Sequence, residues 1–185
     1  GSTAATSVTA TGLTMVTNYD LYIRSDCGSS VKSVYSGPYN FTTGCPSALT
    51  GTYTIGAAGT YTTFAAALLD LTQCGVSGPV TFNVAAGTYT GEISITEVTG
   101  ASATNTITFN GASAATTIIT YDGANTQNST IELDGADYIT FSNLTIENTE
   151  SSSNAWGVHL TNQANNNTID NCIINLSTTS TSSTF

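Results

Sequence analysis

Positive charge is what this chain has least of. Its 185 residues carry two Lys and Arg in total against twelve Asp and Glu, for a net charge of −10. Both cations, Arg24 and Lys32, fall in the first 45 residues, and no Lys or Arg follows. Phosphate backbones are held by clustered Lys and Arg, so the composition excludes nucleic acid as a partner. It weighs equally against anionic membranes. His159 is the only histidine, Trp156 the only tryptophan, and charged residues make up 8% of the chain. No apolar run reaches membrane-spanning length, so no membrane insertion is expected, and no signal-peptide pattern heads the chain. So low a charge fraction would read as disorder if β-branched and aromatic residues were also scarce. They are abundant, and Thr, Val, Ile, Tyr and Phe favour strands throughout.

Those residues fall into a repeat. Ile131 and Leu133 in STIELDGADYITFSNLTIENT line up with Val158 and Leu160 in WGVHLTNQANNNTIDNCIINLS. Further back lie Ile107 and Phe109, then Val80 and Phe82, which reads as one ladder of short strands. A second ladder reads Ile93/Ile95, Ile119/Tyr121, Leu144/Ile146 and Cys172/Ile174. Inward residues flank one outward residue in each strand, the period of a half-buried strand. Two such ladders, repeating at steps of about 24 to 28 residues, predict a solenoid whose rungs must stack to bury their apolar faces. In this register Leu144 points inward and Thr145 outward. The first rung strand is expected at 80–84.

The stretches GTYTIGAAGTYTTFAAALLDL, GVSGPVTFNVAAGTYTGEISI, TNTITFNG and GADYITFSNLTIEN carry a family resemblance over residues 51–177. That region resembles the N-terminal part of a right-handed parallel β-helix of the pectin-lyase-like superfamily, especially modules of large bacterial secreted and surface proteins. The superfamily hosts lyases, hydrolases, adhesins and tailspikes, so the resemblance speaks to architecture before activity. TYTTFAAALLDLTQ is the one helical candidate, expected at about 60–73 with Phe64, Leu68 and Leu71 on one face, capping the open end of the first rung. Asn143 and Asn171, aligned just before second-ladder strands, read as a structural pair bonding between rungs.

Residues 1–45 show no solenoid step. SVTATGL, NYDLYIRSDC and GPYNFTT read as three antiparallel strands. The spacing from Leu13 through Tyr19 to Ile23 resembles the entry to strand F of a fibronectin type III sandwich, with Tyr19 as its corner tyrosine and Met15 in place of the usual proline. The expected fold class is therefore all-β: the last three strands of a fibronectin type III-like sandwich over 1–45, then a cap helix and the first rungs of a parallel β-helix over 46–185. Both termini read as cut, with the parent chain continuing.

Four cysteines allow three full connectivities. The fibronectin resemblance implies that Cys27 and Cys45 lie at opposite poles, too far apart to bridge. Cys45 would instead bond Cys74 at the end of the cap helix, which suits an extracellular, oxidising setting. Cys172 takes a ladder position and is expected to be a buried, reduced thiol.

Three chemistries can be weighed. Lyases of this fold typically need Arg or Lys as base, and residues 46–185 offer neither. A hydrolase needs paired carboxylates. Asp134 and Asp137 share a DGAD turn, where Asp-Gly serves the backbone, and no acid pair on neighbouring rungs is apparent. An ice-binding face needs Thr in register on a flat sheet. The outward positions read Thr81, Thr108, Glu132, His159 and Ser94, Thr120, Thr145, Ile173, which is no Thr array. A glycan patch remains, with Trp156 as stacking platform and Glu132 and His159 as hydrogen-bonding partners.

The expectation is a non-catalytic structural or adhesive module of a bacterial secreted or cell-surface protein, binding glycans or other surface proteins, and open to self-stacking into filaments. The isolated segment is expected to cleave no polysaccharide. It needs no cofactor, although Asp and Asn side chains would suit a bridging Ca²⁺. Its competitor is the N-terminal part of a β-helix glycoside hydrolase with catalytic rungs downstream.

Overall fold

A computed structural model describes residues 10, 11, 13, 17–26, 31–45, 47–123, 128–150 and 155–177. The chain divides into two compact units, Gly1–Pro46 and Ser47–Phe185.

The described part of the first unit is a two-stranded antiparallel sheet of β1 (Asn18–Ile23) and β2 (Ser36–Thr42). Tyr19 faces Phe41 across the pair and stacks on it, with ring centroids 5.9 Å apart. Arg24 lies over the Tyr35 ring at 4.9 Å, and Lys32 pairs with Asp26 at 3.5 Å. A fibronectin-type sandwich is not shown. The strand expected at 7–13 falls largely outside the described residues, as does Cys27. Nearly every side chain of β1 and β2 is exposed.

The second unit is a parallel β-solenoid. It opens with β3 (Leu49–Ile55) and helix α1 (Phe64–Cys74). Three rungs of three strands follow: β4 (Val76–Val84), β5 (Gly87–Thr90) and β6 (Ile93–Thr96); β7 (Ile107–Gly111), β8 (Thr117–Tyr121) and β9 (Asn128–Asp134); β10 (Ile139–Ser142), β11 (Thr145–Asn148) and β12 (Ala155–Thr161). The strands β13 (Thr168–Asp170) and β14 (Ile173–Leu176) begin a further rung. Stacked, they make three parallel sheets, ordered β13-β10-β7-β4-β3, β14-β11-β8-β5 and β12-β9-β6.

Three sheets replace the two ladders expected from sequence. Phe109 of β7 pairs with Phe82 and with Phe141, not with Leu133. Ile131 and Leu133 of β9 instead lie beside Ile93 and Ile95 of β6. The five-stranded sheet also starts one strand earlier than expected, at β3, ahead of the helix. The error has a physical source. Every strand presents the same in-out alternation, so period alone cannot say which sheet a strand joins.

The core is a column of side chains from all three sheets. Phe82, Phe109 and Phe141 are fully buried and stack with centroids 4.9 and 5.0 Å apart and ring planes inclined by 12° at each step. Ile93, Ile95, Ile131 and Leu133 close the column from the three-stranded sheet, and Ile119 and Ile146 from the four-stranded one. Leu144 is fully buried as expected. Thr145, expected outward, is 5% exposed, because the loop at Ala114 covers it and its carbonyl accepts the Thr145 hydroxyl at 2.6 Å.

Helix α1 closes over the column. Thr63 caps its start by accepting the Ala66 N–H at 3.2 Å, a contact typically worth about 1 kcal/mol. Phe64, Ala67 and Leu71 are its buried residues, and Phe64 packs edge-on against Tyr89 at 5.2 Å. Gly75 ends the helix at φ 66, where a Cβ would meet the Thr99 carbonyl oxygen at 2.4 Å. One corner of the solenoid is pinned by amides. Asn143 donates to Asn110 at 2.8 Å and Asn171 donates to Asn143, while both Asn143 and Asn171 take positive φ. Cys172 is a free thiol, half-buried rather than buried, because it sits on the last described rung and only one neighbouring rung covers it.

Candidate functional site on the three-stranded sheet

The outward face of β6, β9 and β12 gathers the polar and aromatic groups that differ from rung to rung. Glu132 and His159 are register partners on β9 and β12, and Ser94 of β6 is the partner of Glu132 on its other side. Both oxygens of Glu132 are engaged. Oε1 lies 3.4 Å from Nδ1 of His159, and Oε2 accepts the Ser94 hydroxyl at 3.5 Å. Its side chain is only 15% exposed, so the carboxylate is held in place. Trp156 enters β12 beside Ser129, and its ring centroid lies 4.3 Å from that of His159, at 44°. The three residues singled out in the sequence therefore stand together on one face.

The structure adds a fourth that sequence reasoning did not place there. Glu92, in the turn leading into β6, accepts the hydroxyl of the buried Ser129 on Oε1 at 3.3 Å. Partial burial pushes the Glu92 carboxyl above the usual carboxylate range, and the charge of Glu132 pushes it further, against a smaller lowering from Ser129. Two acids from adjacent strands thus feel each other. The rung joining Ser94 to Glu132 spans 38 residues, against 27 from Asn83 to Asn110 in the five-stranded sheet. A fixed step therefore could not align the acids.

A cleft of about 680 Å³ adjoins Glu92. Its walls include Thr62, Thr63, Tyr89, Glu92 and Ser94, so the start of α1 faces the edge of the three-stranded sheet across it. The remaining acids of this sheet serve its turns. Asp134 accepts from Asn162, and Asp137 accepts the Asn165 N–H at 2.6 Å, with Gly135 at φ 70 between them. Among the described residues, no group of three or more His, Cys, Asp and Glu is gathered to hold a metal ion. Cys45 and Cys74 are both disulfide-bonded.

An aromatic ring, an imidazole and two acids thus gather at the three-stranded sheet of a parallel solenoid. The profile described as Glycosyl hydrolases family 28 matches residues 23–178, and the chain belongs to that family. A comparison with curated proteins finds no match. Among solved structures the chain is similar to the pectin methylesterase from Aspergillus niger in deglycosylated form, at 22% identity and a TM-score of 0.49, covering 70% of this chain and 52% of that one. The same enzyme in penultimately deglycosylated form gives 22% identity and a TM-score of 0.49, over 72% of this chain and 52% of that one. The chain spans about half the length of these structures. Family membership favours the carbohydrate-active enzyme on a β-helix over the non-catalytic module expected from sequence.

Proposed function

We propose that this chain is a glycoside hydrolase domain and that the face of β6, β9 and β12 binds its glycan. Trp156 offers a flat apolar surface to a sugar ring, and His159 and Glu132 present a donor and an acceptor to its hydroxyls. Hydrolysis of a glycosidic bond needs one carboxyl that keeps its proton and one that stays ionised. Glu92, pushed up beside Glu132, supports the acid role, giving its proton to the leaving oxygen. Glu132, held by Ser94 and His159, is the second carboxyl group of the pair. His159 acts as a positioning residue for that carboxylate.

The gathering of Trp156, His159 and Glu132 on one face, with Glu92 bonded to Ser129 beside them, is the observation that carries this reading. The preferred glycan is neutral or amino-bearing, since no Lys or Arg follows Lys32 to hold a polyuronate. An extracellular location fits the disulfide-bonded Cys45 and Cys74. Glycan-array binding tests the surface. Neutral or amino glycans should be retained by the native protein and lost in Trp156→Ala. Retention that is unchanged by Trp156→Ala, or confined to polyuronates, would remove the reading.

A further inference from the structure

The cleft beside Glu92 is not filled by a sugar lying on the face of β6, β9 and β12. Its floor is apolar, made by the buried Phe64, Ile93 and Ile119, with Leu68 of α1 as one wall. Tyr89 stands edge-on to Phe64 at 88°, and its hydroxyl donates to the Ala85 carbonyl at 2.9 Å. Its one polar side-chain atom is thus engaged, and the ring offers apolar surface to the cleft. Thr63 likewise commits its hydroxyl oxygen to the Ala66 N–H. The volume, about 680 Å³, lies in the range of small-ligand sites, which are mostly apolar with a few placed polar groups.

Two residues belong to the cleft and to the glycan face at once. Glu92 lines the cleft, and its Oε1 accepts the hydroxyl of Ser129, the register partner of Trp156. Ser94 also lines it and donates to Oε2 of Glu132. The cleft therefore continues the face, and Glu92 stands where the two meet.

We infer that the cleft seats the leaving group of the substrate and that this group is an uncharged aryl ring. The inference rests on the glycoside hydrolase reading and names the substrate class of that same site. The sugar lies against Trp156, His159 and Glu132, and the glycosidic oxygen comes beside Glu92. As the C–O bond breaks, its electron pair stays on that oxygen, which takes the Glu92 proton. The group departs as a neutral phenol, while water supplies the sugar's new hydroxyl and a proton that restores the acid pair. An aryl ring suits the corner between Phe64 and Tyr89, because aromatic rings favour edge-to-face and offset packing. Charge excludes the alternatives. An anionic group would meet Glu92 and Glu132, with no Lys or Arg after Lys32 to hold it. A cationic one would favour ionised Glu92 and so remove the proton that the reaction uses.

The test is calorimetric binding of matched methyl and phenyl β-glycosides of glucose, galactose and N-acetylglucosamine. For the sugar that binds, the phenyl glycoside should be held about tenfold or more tightly than the methyl one, the scale of a partly buried aromatic ring. Ala65→Trp fills the cleft from an exposed position of α1. It should abolish that ratio while leaving the circular dichroism and unfolding midpoint in place. Trp156→Ala should weaken both glycosides alike and keep the ratio. Equal affinities in the native protein, no binding of any phenyl glycoside, or a ratio retained in Ala65→Trp would overturn the inference. So would a ratio lost in Trp156→Ala, which would seat the phenyl group on the tryptophan. If glycan-array retention is still lost in Trp156→Ala, the glycan face stands and only the cleft assignment falls; absence of both takes down the reading beneath it.

Discussion

The five-stranded and three-stranded sheets share a core and differ outside it. Inward, both stack large apolar side chains in register, Phe82 on Phe109 on Phe141 in one and Ile93 on Ile131 in the other. Outward, the five-stranded sheet repeats threonine, and the three-stranded sheet changes at each rung from Ser94 to Glu132 to His159. A solenoid needs only its inner face to repeat, because only that face is buried by stacking. The outer faces are free to diverge.

The comparison can be broken most severely from the inside. Leu144→Asp places an unpaired charge in a fully buried site and should cost more than about 4 kcal/mol. Phe109→Ala, at the middle of the ring stack, should cost about 3 to 5 kcal/mol in denaturant unfolding. The outward Trp156→Ala should cost far less than either. Comparable losses from Phe109 and Trp156 would mean that the two faces are not energetically distinct.

Thr145→Asp sharpens the boundary between the faces. Its alternation reads as outward, yet its hydroxyl bonds the Ala114 carbonyl under a loop. The substitution removes that donor and sets a carboxylate against the carbonyl, so a loss of roughly 1 to 3 kcal/mol is expected. No measurable loss would restore the outward reading.

The smallest effect concerns the acid pair. Glu92 binds its proton more tightly in the folded chain than in the unfolded one, because of its partial burial and of Glu132. Its stabilising share is therefore fully present below the ordinary glutamate value of about 4.3 and is lost as pH rises through its raised folded value. The unfolding midpoint should drift down slightly across that window, and Glu132→Gln should shrink the drift. Carboxyl titration by NMR should show Glu92 moving down in Glu132→Gln.

The sequence made the solenoid legible through alternation, and the pair Phe82–Phe109 was aligned correctly. Phe141 was not, because the rung between Asn110 and Ser142 runs to 32 residues, against 27 for the one before. Period-two patterning fixes which way a side chain points within its strand, but all three sheets share that pattern. Assignment to a sheet depends on turn lengths, which apolar spacing does not encode. Glu132, His159 and Trp156 were found together because β9 and β12 are both long and pair residue for residue. Glu92 was missed because it lies in a turn, outside any strand period. In the first unit the Tyr19 spacing resembled a sandwich, whereas the described residues show a single exposed hairpin-like sheet.

The account turns on whether Glu92 and Glu132 act as an acid pair on a glycan. The most direct measurement is reducing-sugar release from neutral and amino glycans by the native protein and by Glu92→Gln, each confirmed folded. The account predicts release by the native protein and a loss of at least about 100-fold in kcat for Glu92→Gln, the scale of a removed general acid. Release at an unchanged rate in Glu92→Gln would contradict it.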